Sequence, residues 1–228
     1  MVPSSLVMDA VIVAAGSSTR FGQQDKLFAP LAGRPVLAWS LAAFEETPGL
    51  ECLVVVTSEA NRTAVAELAA RWAPKACHSV VLGGARRRDS VETGLRTCNA
   101  RYVAIHDGAR PLITPALIAR VVAAAATGPG AIAAVPVTDT IKEVEGSRIT
   151  GHPDRAHLWA AQTPQVVLRS AWLDAARMSD NDETDDAAML SRLGLECAVV
   201  ESDATNLKIT HPVDLLVAER LLLERAPR

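Results

Sequence analysis

Short, nearly continuous apolar runs rich in Val and Ile recur along the first part of the chain, at 11–14, 52–57, 79–82, 102–106 and 131–135. Runs of that length with little polar interruption predict strands covered on both faces, as in a parallel sheet. Between them lie longer amphipathic or alanine-rich stretches, 35–46, 59–72, 89–98 and 114–127, which predict helices. Pro35 and Pro115 stand where a first-turn proline is tolerated, and Thr114 is a candidate N-cap. Strand and helix alternating in this way predict an α/β fold: a doubly wound, mostly parallel, Rossmann-like sheet with right-handed crossovers.

The pattern changes after Val137. Residues 138–155 are polar, lack helical spacing and carry Gly146, Gly151 and Pro153. A structureless excursion of that length is uncommon inside a compact domain, and such segments tend to be functional. Residues 140–144 and 148–150 can pair across Glu145-Gly146-Ser147, which predicts a protruding β-arm; a plain linker is the competing reading. From Leu168 the pattern returns to helices, then a short strand at 196–200 and a last helix from about 212 to 225, with Thr210 a candidate cap. The pattern as a whole predicts one domain over 1–228, with 138–157 as an arm.

Composition narrows the function. With 228 residues, 49% hydrophobic and 21% charged, the chain has the make-up of an ordinary globular protein. A formal net charge of −3 gives no global support for nucleic-acid binding, so an anionic substrate must be held by local Arg and Lys. Cys52, Cys77, Cys98 and Cys197 are scattered, without a Cys-x-x-Cys pair or His at metal-ligand spacing, which points to reduced thiols in a cytoplasmic protein and no protein-built metal centre. The first eight residues are short and uncationic for a signal peptide, and no apolar run reaches about 18 residues, so no membrane association is expected.

The candidate chemistry begins with residues 11–26, which follow the first predicted strand. In an open parallel sheet, ligands sit beyond the carboxyl ends of the strands. Ala14, Ala15, Gly16, Ser17 and Ser18 are small enough for backbone N–H groups to approach phosphate oxygens. Arg20 adds a planar fork and Lys26 a mobile point charge. The glycines Gly16 and Gly22 do not fit the dinucleotide fingerprint, and no Gly-Lys-Ser/Thr follows, so the Walker loop fails as well. On these residues alone, a turn with incidental cations stays open.

Ala14-Ala15-Gly16 followed by Arg20, Gly22 and Lys26, and then Pro30-Leu31 with Gly33 and Pro35-Val36-Leu37, resembles the nucleotidyltransferases that activate sugar and polyol phosphates. The resemblance continues through Gly83-Gly84 with Asp89-Ser90-Val91, His106-Asp107-Gly108-Ala109-Arg110-Pro111 and Asp139-Thr140-Ile141-Lys142. It extends to Asp154-Arg155, Leu158-Trp159, Gln162-Thr163-Pro164-Gln165, Thr184-Asp185-Asp186 and Asn206-Leu207-Lys208-Ile209-Thr210. These later motifs are similar to those of the 2-C-methyl-D-erythritol 4-phosphate cytidylyltransferase family, over almost the whole chain and in order.

The resemblance implies attack of a phosphate-monoester oxygen on the α-phosphorus of CTP, releasing pyrophosphate, in non-mevalonate isoprenoid synthesis. That nucleophile is ionised near neutral pH, so no general base is needed and His106 reads as structural. By the same resemblance, Arg20, Lys26, Lys208 and Asp107 are the catalytic set. Ala14, Ala15, Gly16, Gly84, Ala85, Ser90 and Asp107 bind the nucleotide, and Mg2+ is held mainly through the CTP phosphates. Arg110, Thr140 and Arg155 bind the polyol phosphate, the last two across a homodimer with arm-shared sites. Arg86, Arg87 and Arg88 read mostly as a solvated helix start, although Arg87 falls where the family carries an arginine. Asp25 stands where the family usually has proline; an acid there is expected to draw on the charge of Lys26. Asp25-Lys26 keeps open a molybdopterin guanylyltransferase. A ribitol phosphate cytidylyltransferase and a non-catalytic nucleotide-binding module also stay open.

Overall fold

The structure is a computed structural model, and it describes residues 6–16, 21, 25–178 and 183–225. In chain order it runs β1 (Met8–Ala14), a small hairpin β2 (Pro30–Leu31) and β3 (Arg34–Pro35), α1 (Val36–Glu45), β4 (Leu50–Thr57) and α2 (Arg62–Trp72). Then come β5 (Cys77–Leu82), α3 (Arg87–Thr97), β6 (Tyr102–Asp107), α4 (Pro115–Ala125) and β7 (Gly130–Pro136). The remainder comprises a hairpin β8 (Glu143–Glu145) and β9 (Arg148–Gly151), β10 (Trp159–Leu168), α5 (Arg169–Met178), α6 (Asp186–Ser191), β11 (Ala198–Glu201) and α7 (Pro212–Arg225).

The expected α/β architecture is present. Seven strands form one sheet in the order β11-β7-β10-β6-β1-β4-β5, with β10 the one antiparallel member. Alternation within β1 explains why its run is apolar throughout. Ala10, Ile12 and Ala14 face a core with Leu37, Phe44 and Ile118, from α1 and α4. Val11 faces a second core with Val91, Leu95 and Trp172, from α3 and α5. Helices therefore cover both faces, as a doubly wound sheet requires. Gly94 lets α3 lie flush on the sheet, since an added Cβ there would sit 2.5 Å from a Val11 methyl.

Strand order fixes where a ligand can enter. The chain starts at β1, steps outward to β4 and β5, then returns to the other side of β1 as β6. Loops leaving β1 and β6 diverge at that switch point and open a crevice beyond their carboxyl ends.

Three expectations need correction. Residues 159–167, read as motif rather than strand, form most of β10, inside the sheet between β7 and β6. The arm is a hairpin, but its pairing starts at Glu143 instead of residue 140, and its turn is only Gly146-Ser147, with Gly146 at φ 61°. Thr114 does cap α4, its side chain accepting from Leu117 N. Thr210 does not cap α7: the Asp214 carboxylate accepts from the backbone N–H of Thr210 and His211, both at 2.7 Å. Among the described residues no helix is long and apolar enough to cross a membrane.

Candidate active site

A cavity of about 410 Å³ opens at the switch point. Its walls include Ala14, Ala15 and Gly16 after β1, then Lys26, Gly84, Ala85 and Ser90, Asp107 at the end of β6, and Lys208. Residues from distant parts of the sequence are thus brought to one hollow. Arg20 lies outside the described residues. Arg110 belongs to a second cavity of about 240 Å³, together with Gln162, Thr163 and Asp185. Arg87, Asp107 and Lys208 line both, so the two cavities share a charged wall. Thr140 and Arg155 line neither; they sit exposed on the arm, where the Arg155 guanidinium donates to Thr138 O.

The uncharged side of the larger cavity depends on close backbone approach. An added Cβ at Gly83 would lie 2.6 Å from both Ala15 Cβ and Ser90 Oγ, so only glycine lets these segments meet. Ser90 Oγ accepts from Gly84 N and donates to Arg86 O, which fixes the loop before α3. Asp89 secures the helix start by accepting from Arg86 N at 3.1 Å.

The charged wall is built around Asp107. Arg87 Nε donates to its Oδ1 at 3.3 Å, Lys208 Nζ to its Oδ2 at 2.8 Å, and Arg110 Nε lies 3.9 Å from Oδ2. Burial opposes ionisation of Asp107, but Arg87 and Lys208 outweigh it and hold the carboxyl well below the usual carboxylate range. Burial likewise works against the Arg87 charge, and Asp186 and Asp107 overcome it, raising its pKa above the ordinary arginine value. Arg110 is pulled down by burial against the attraction of Asp107. Arg87, Arg110 and Lys208 face Asp107 and Asp186, with Asp185 also on the smaller cavity and Lys26 on the larger.

His106 is a positioning element. It is fully buried, and burial lowers its pKa to about 4, so the ring is neutral near pH 7. Its Nε2 lies 3.3 Å from Arg110 O, which can only accept, so Nε2 carries the proton. Nδ1 then accepts from Thr163 Oγ1 at 3.0 Å, and Thr163 Oγ1 in turn accepts from Asp107 N at 3.0 Å. This chain of bonds locks the backbone of Asp107. The Arg110 guanidinium donates to Asn206 O at 2.8 Å, and Ile209 N donates to Ala109 O, so the Lys208 segment is pinned to the same loop from both sides.

The family profile described as 2-C-methyl-D-erythritol 4-phosphate cytidylyltransferase matches residues 8–224. This chain is a member of the 2-C-methyl-D-erythritol 4-phosphate cytidylyltransferase family. It is 45% identical over 226 residues to the protein of that name from Prochlorococcus marinus, covering 96% of this chain and all of the relative. A crystal structure of the Thermus thermophilus protein of that name superposes with a TM-score of 0.77 at 32% identity, over 93% of this chain and 98% of that one. The 4-diphosphocytidyl-2C-methyl-D-erythritol synthase of Anaerococcus prevotii, 22% identical, shares the fold at a TM-score of 0.84, over 96% of this chain and all of that one.

Within this cytidylyltransferase, several polar contacts differ from the sequence-based reading. The basic run at 86–88 is not a solvated helix start. Arg88 is buried and donates to Ala176 O, while Arg87 reaches Asp107 and, at 2.8 Å, Asp186 Oδ2. Sequence patterning alone assigns no role to Arg87 or Asp186; the signals for them are the family arginine at 87 and the Thr184-Asp185-Asp186 motif. Asp25 has structural partners for both oxygens, accepting from Leu27 N at 3.1 Å and from Asn61 Nδ2 at 2.6 Å, and it caps the turn that carries Lys26.

A metal held by the protein does not fit this donor set. Both Asp107 oxygens already accept from cations, and no group of three metal-ligating side chains occurs among the described residues.

Proposed function

We propose that this chain transfers the cytidylyl group of CTP to 2-C-methyl-D-erythritol 4-phosphate. The products are 4-diphosphocytidyl-2-C-methyl-D-erythritol and pyrophosphate, formed in non-mevalonate isoprenoid synthesis. The observation that carries this reading is the shared wall. A nucleotide-sized cavity and a smaller one meet at Arg87, Asp107 and Lys208, where an acceptor phosphate and an α-phosphate could be brought together.

In this reading the triphosphate, with roughly four negative charges near neutral pH, lies along the loop after β1 against Arg20 and Lys26. The base faces Gly84, Ala85 and Ser90, and the acceptor phosphate enters beside Arg110. Lys208 stands between nucleophile and electrophile. Phosphate oxygens then compete with Asp107 for Lys208 and Arg87, and Lys26 on the larger cavity and Arg110 on the smaller add to the attraction. Magnesium, held mainly by the CTP phosphates rather than by protein side chains, would supply further positive charge to the triphosphate beside Lys26.

Thr140 and Arg155 are the acceptor ligands of a neighbouring subunit. In support, they line neither of the two cavities described in their own chain, and their arm exposes Ile141, Val144 and Ile149, with Trp159 at the start of β10 beside it, for a second copy to cover. A cytoplasmic setting suits the four free cysteines.

Pyrophosphate release tests the assignment. CTP, GTP, ATP and UTP are crossed with methylerythritol phosphate, ribitol phosphate and molybdopterin, with and without magnesium. Release is expected with CTP and methylerythritol phosphate; release only with GTP, or only with ribitol phosphate, overturns the assignment. The pH profile adds a second check. Asp107 titrates far below, and His106 at about 4, so neither changes charge between pH 5 and 8. The acid limb of kcat/KM therefore follows the acceptor phosphate, near pH 6. His106→Gln keeps that limb, whereas its loss would make His106 the titrating base.

A further inference from the structure

We propose that Asp186 is a positioning residue for cytidylyl transfer, acting through Arg87 to hold the wall between the two cavities; this rests on the transfer reading above. Among the described residues, Arg87 is the one side chain that touches both cavities while also holding two carboxylates: Nε on Asp107 Oδ1 and a terminal nitrogen on Asp186 Oδ2. Asp186 lines neither cavity and is only 1% exposed. A carboxylate buried to that degree is costly unless each oxygen is paired. Its second oxygen accepts from Trp172 Nε1 at 3.1 Å, and Trp172 is itself buried. The backbone is equally constrained, because Asp186 N donates to Gln165 Oε1 at 2.8 Å.

The consequence is a division of the Arg87 charge. Held on one edge by Asp186, the guanidinium presents only Nε to Asp107 at 3.3 Å, and Asp107 Oδ2 is left to Lys208 at 2.8 Å. Without the Asp186 charge, Arg87 can swing fully onto Asp107 and displace Lys208. Both cations would then leave the places where the two phosphates are proposed to meet. A carboxylate that never touches substrate thereby sets how the site's cations are shared.

Asp186→Asn is the direct test. Its side-chain oxygen can still accept from Trp172, and its backbone N–H keeps Gln165, so the fold is expected to survive. Charge-assisted hydrogen bonds of this kind correspond to a loss on the order of 10- to 100-fold in kcat/KM. The deciding readout is a double-mutant cycle with Arg87→Ala, read both on turnover and on CTP affinity by calorimetry. If Asp186 acts through Arg87, Asp186→Asn costs little further once Arg87 is gone. A merely structural Asp186 costs the same in both backgrounds and overturns the proposal, while turnover by the unaltered chain leaves the transfer reading intact. Conversely, no turnover by the unaltered chain, with non-additive losses in CTP affinity, sinks the transfer reading and upholds the Arg87–Asp186 coupling. Should Asp186→Asn fail to fold, Asp186→Glu displaces the carboxylate from Arg87 by one methylene while keeping its charge, and the cycle with Arg87→Ala runs with it under the same two outcomes.

Discussion

Lys208→Gln lowers kcat for cytidylyl transfer on the order of 10²- to 10³-fold, with a far smaller change in the KM for CTP. The Lys208 ammonium stands on the boundary of both cavities, 2.8 Å from Asp107 Oδ2. Charge at the α-phosphorus grows only as the acceptor oxygen approaches, so a cation placed there acts on the transition state more than on bound CTP. Lys26 and Arg20 serve the rest of the triphosphate in the proposed mechanism, which is why the KM for CTP is spared. The fold should tolerate the change. The Lys208 side chain is 38% exposed, Asp107 keeps Arg87, and the backbone at 206–209 is tied independently through Asn206 and Ile209. Steady-state kinetics with both substrates varied check this. A rise in the KM for CTP at unchanged kcat would make Lys208 a simple nucleotide anchor.

Arg155→Ala raises the KM for the acceptor by roughly 10- to 100-fold, the scale of a lost arginine–phosphate contact, and leaves that for CTP nearly unchanged. Thr140→Ala acts in the same direction and less strongly, since a neutral hydroxyl contact is worth less. The sharper consequence concerns the subunits. If the arm serves its neighbour, Arg155→Ala and Lys208→Gln chains complement each other when mixed. Each mixed dimer contains one site with both residues intact, so equal mixing recovers roughly a quarter of the full activity. Activity no greater than the sum of the separate variants would place Arg155 in its own chain's site, or in none. Ultracentrifugation showing a monomer at working concentration would count against the shared site independently.

Much of this architecture is legible in the sequence because burial on both faces leaves a simple mark. Ile12 and Val11 face opposite cores, so the run 11–14 of β1 could only be apolar, and β6 follows the same rule up to Ile105. β10 leaves no such mark. Gln162, Thr163 and Gln165 are buried in it as polar residues, each satisfied by a specific partner across the fold. Hydrophobic patterning is blind to polar groups buried in that way. The hollow after β1 is legible for a different reason, since small residues and cations there have few other uses. Arg87 and Arg88 are not, because three consecutive arginines look like solvated surface until Asp186, 99 positions away, and Ala176, 88 away, are placed beside them. One partner of Asp25 is hidden from the sequence on the same ground, since Asn61 comes from the segment after β4.

Two cavities that meet at one charged wall allow a single, direct displacement, with no covalent intermediate on the protein. Among the described residues, several nucleophile-type groups at or behind the wall are occupied: Ser90 Oγ bonds Gly84 N and Arg86 O, Thr163 Oγ1 bonds Asp107 N and His106 Nδ1, and His106 Nε2 bonds Arg110 O. The stereochemical course at the α-phosphorus decides the matter, followed by phosphorus NMR with CTP carrying sulfur at one α-oxygen in a single configuration. Direct attack by the methylerythritol phosphate oxygen gives inversion in the product. Retention would mean two successive displacements through a group on the protein, and would contradict direct transfer.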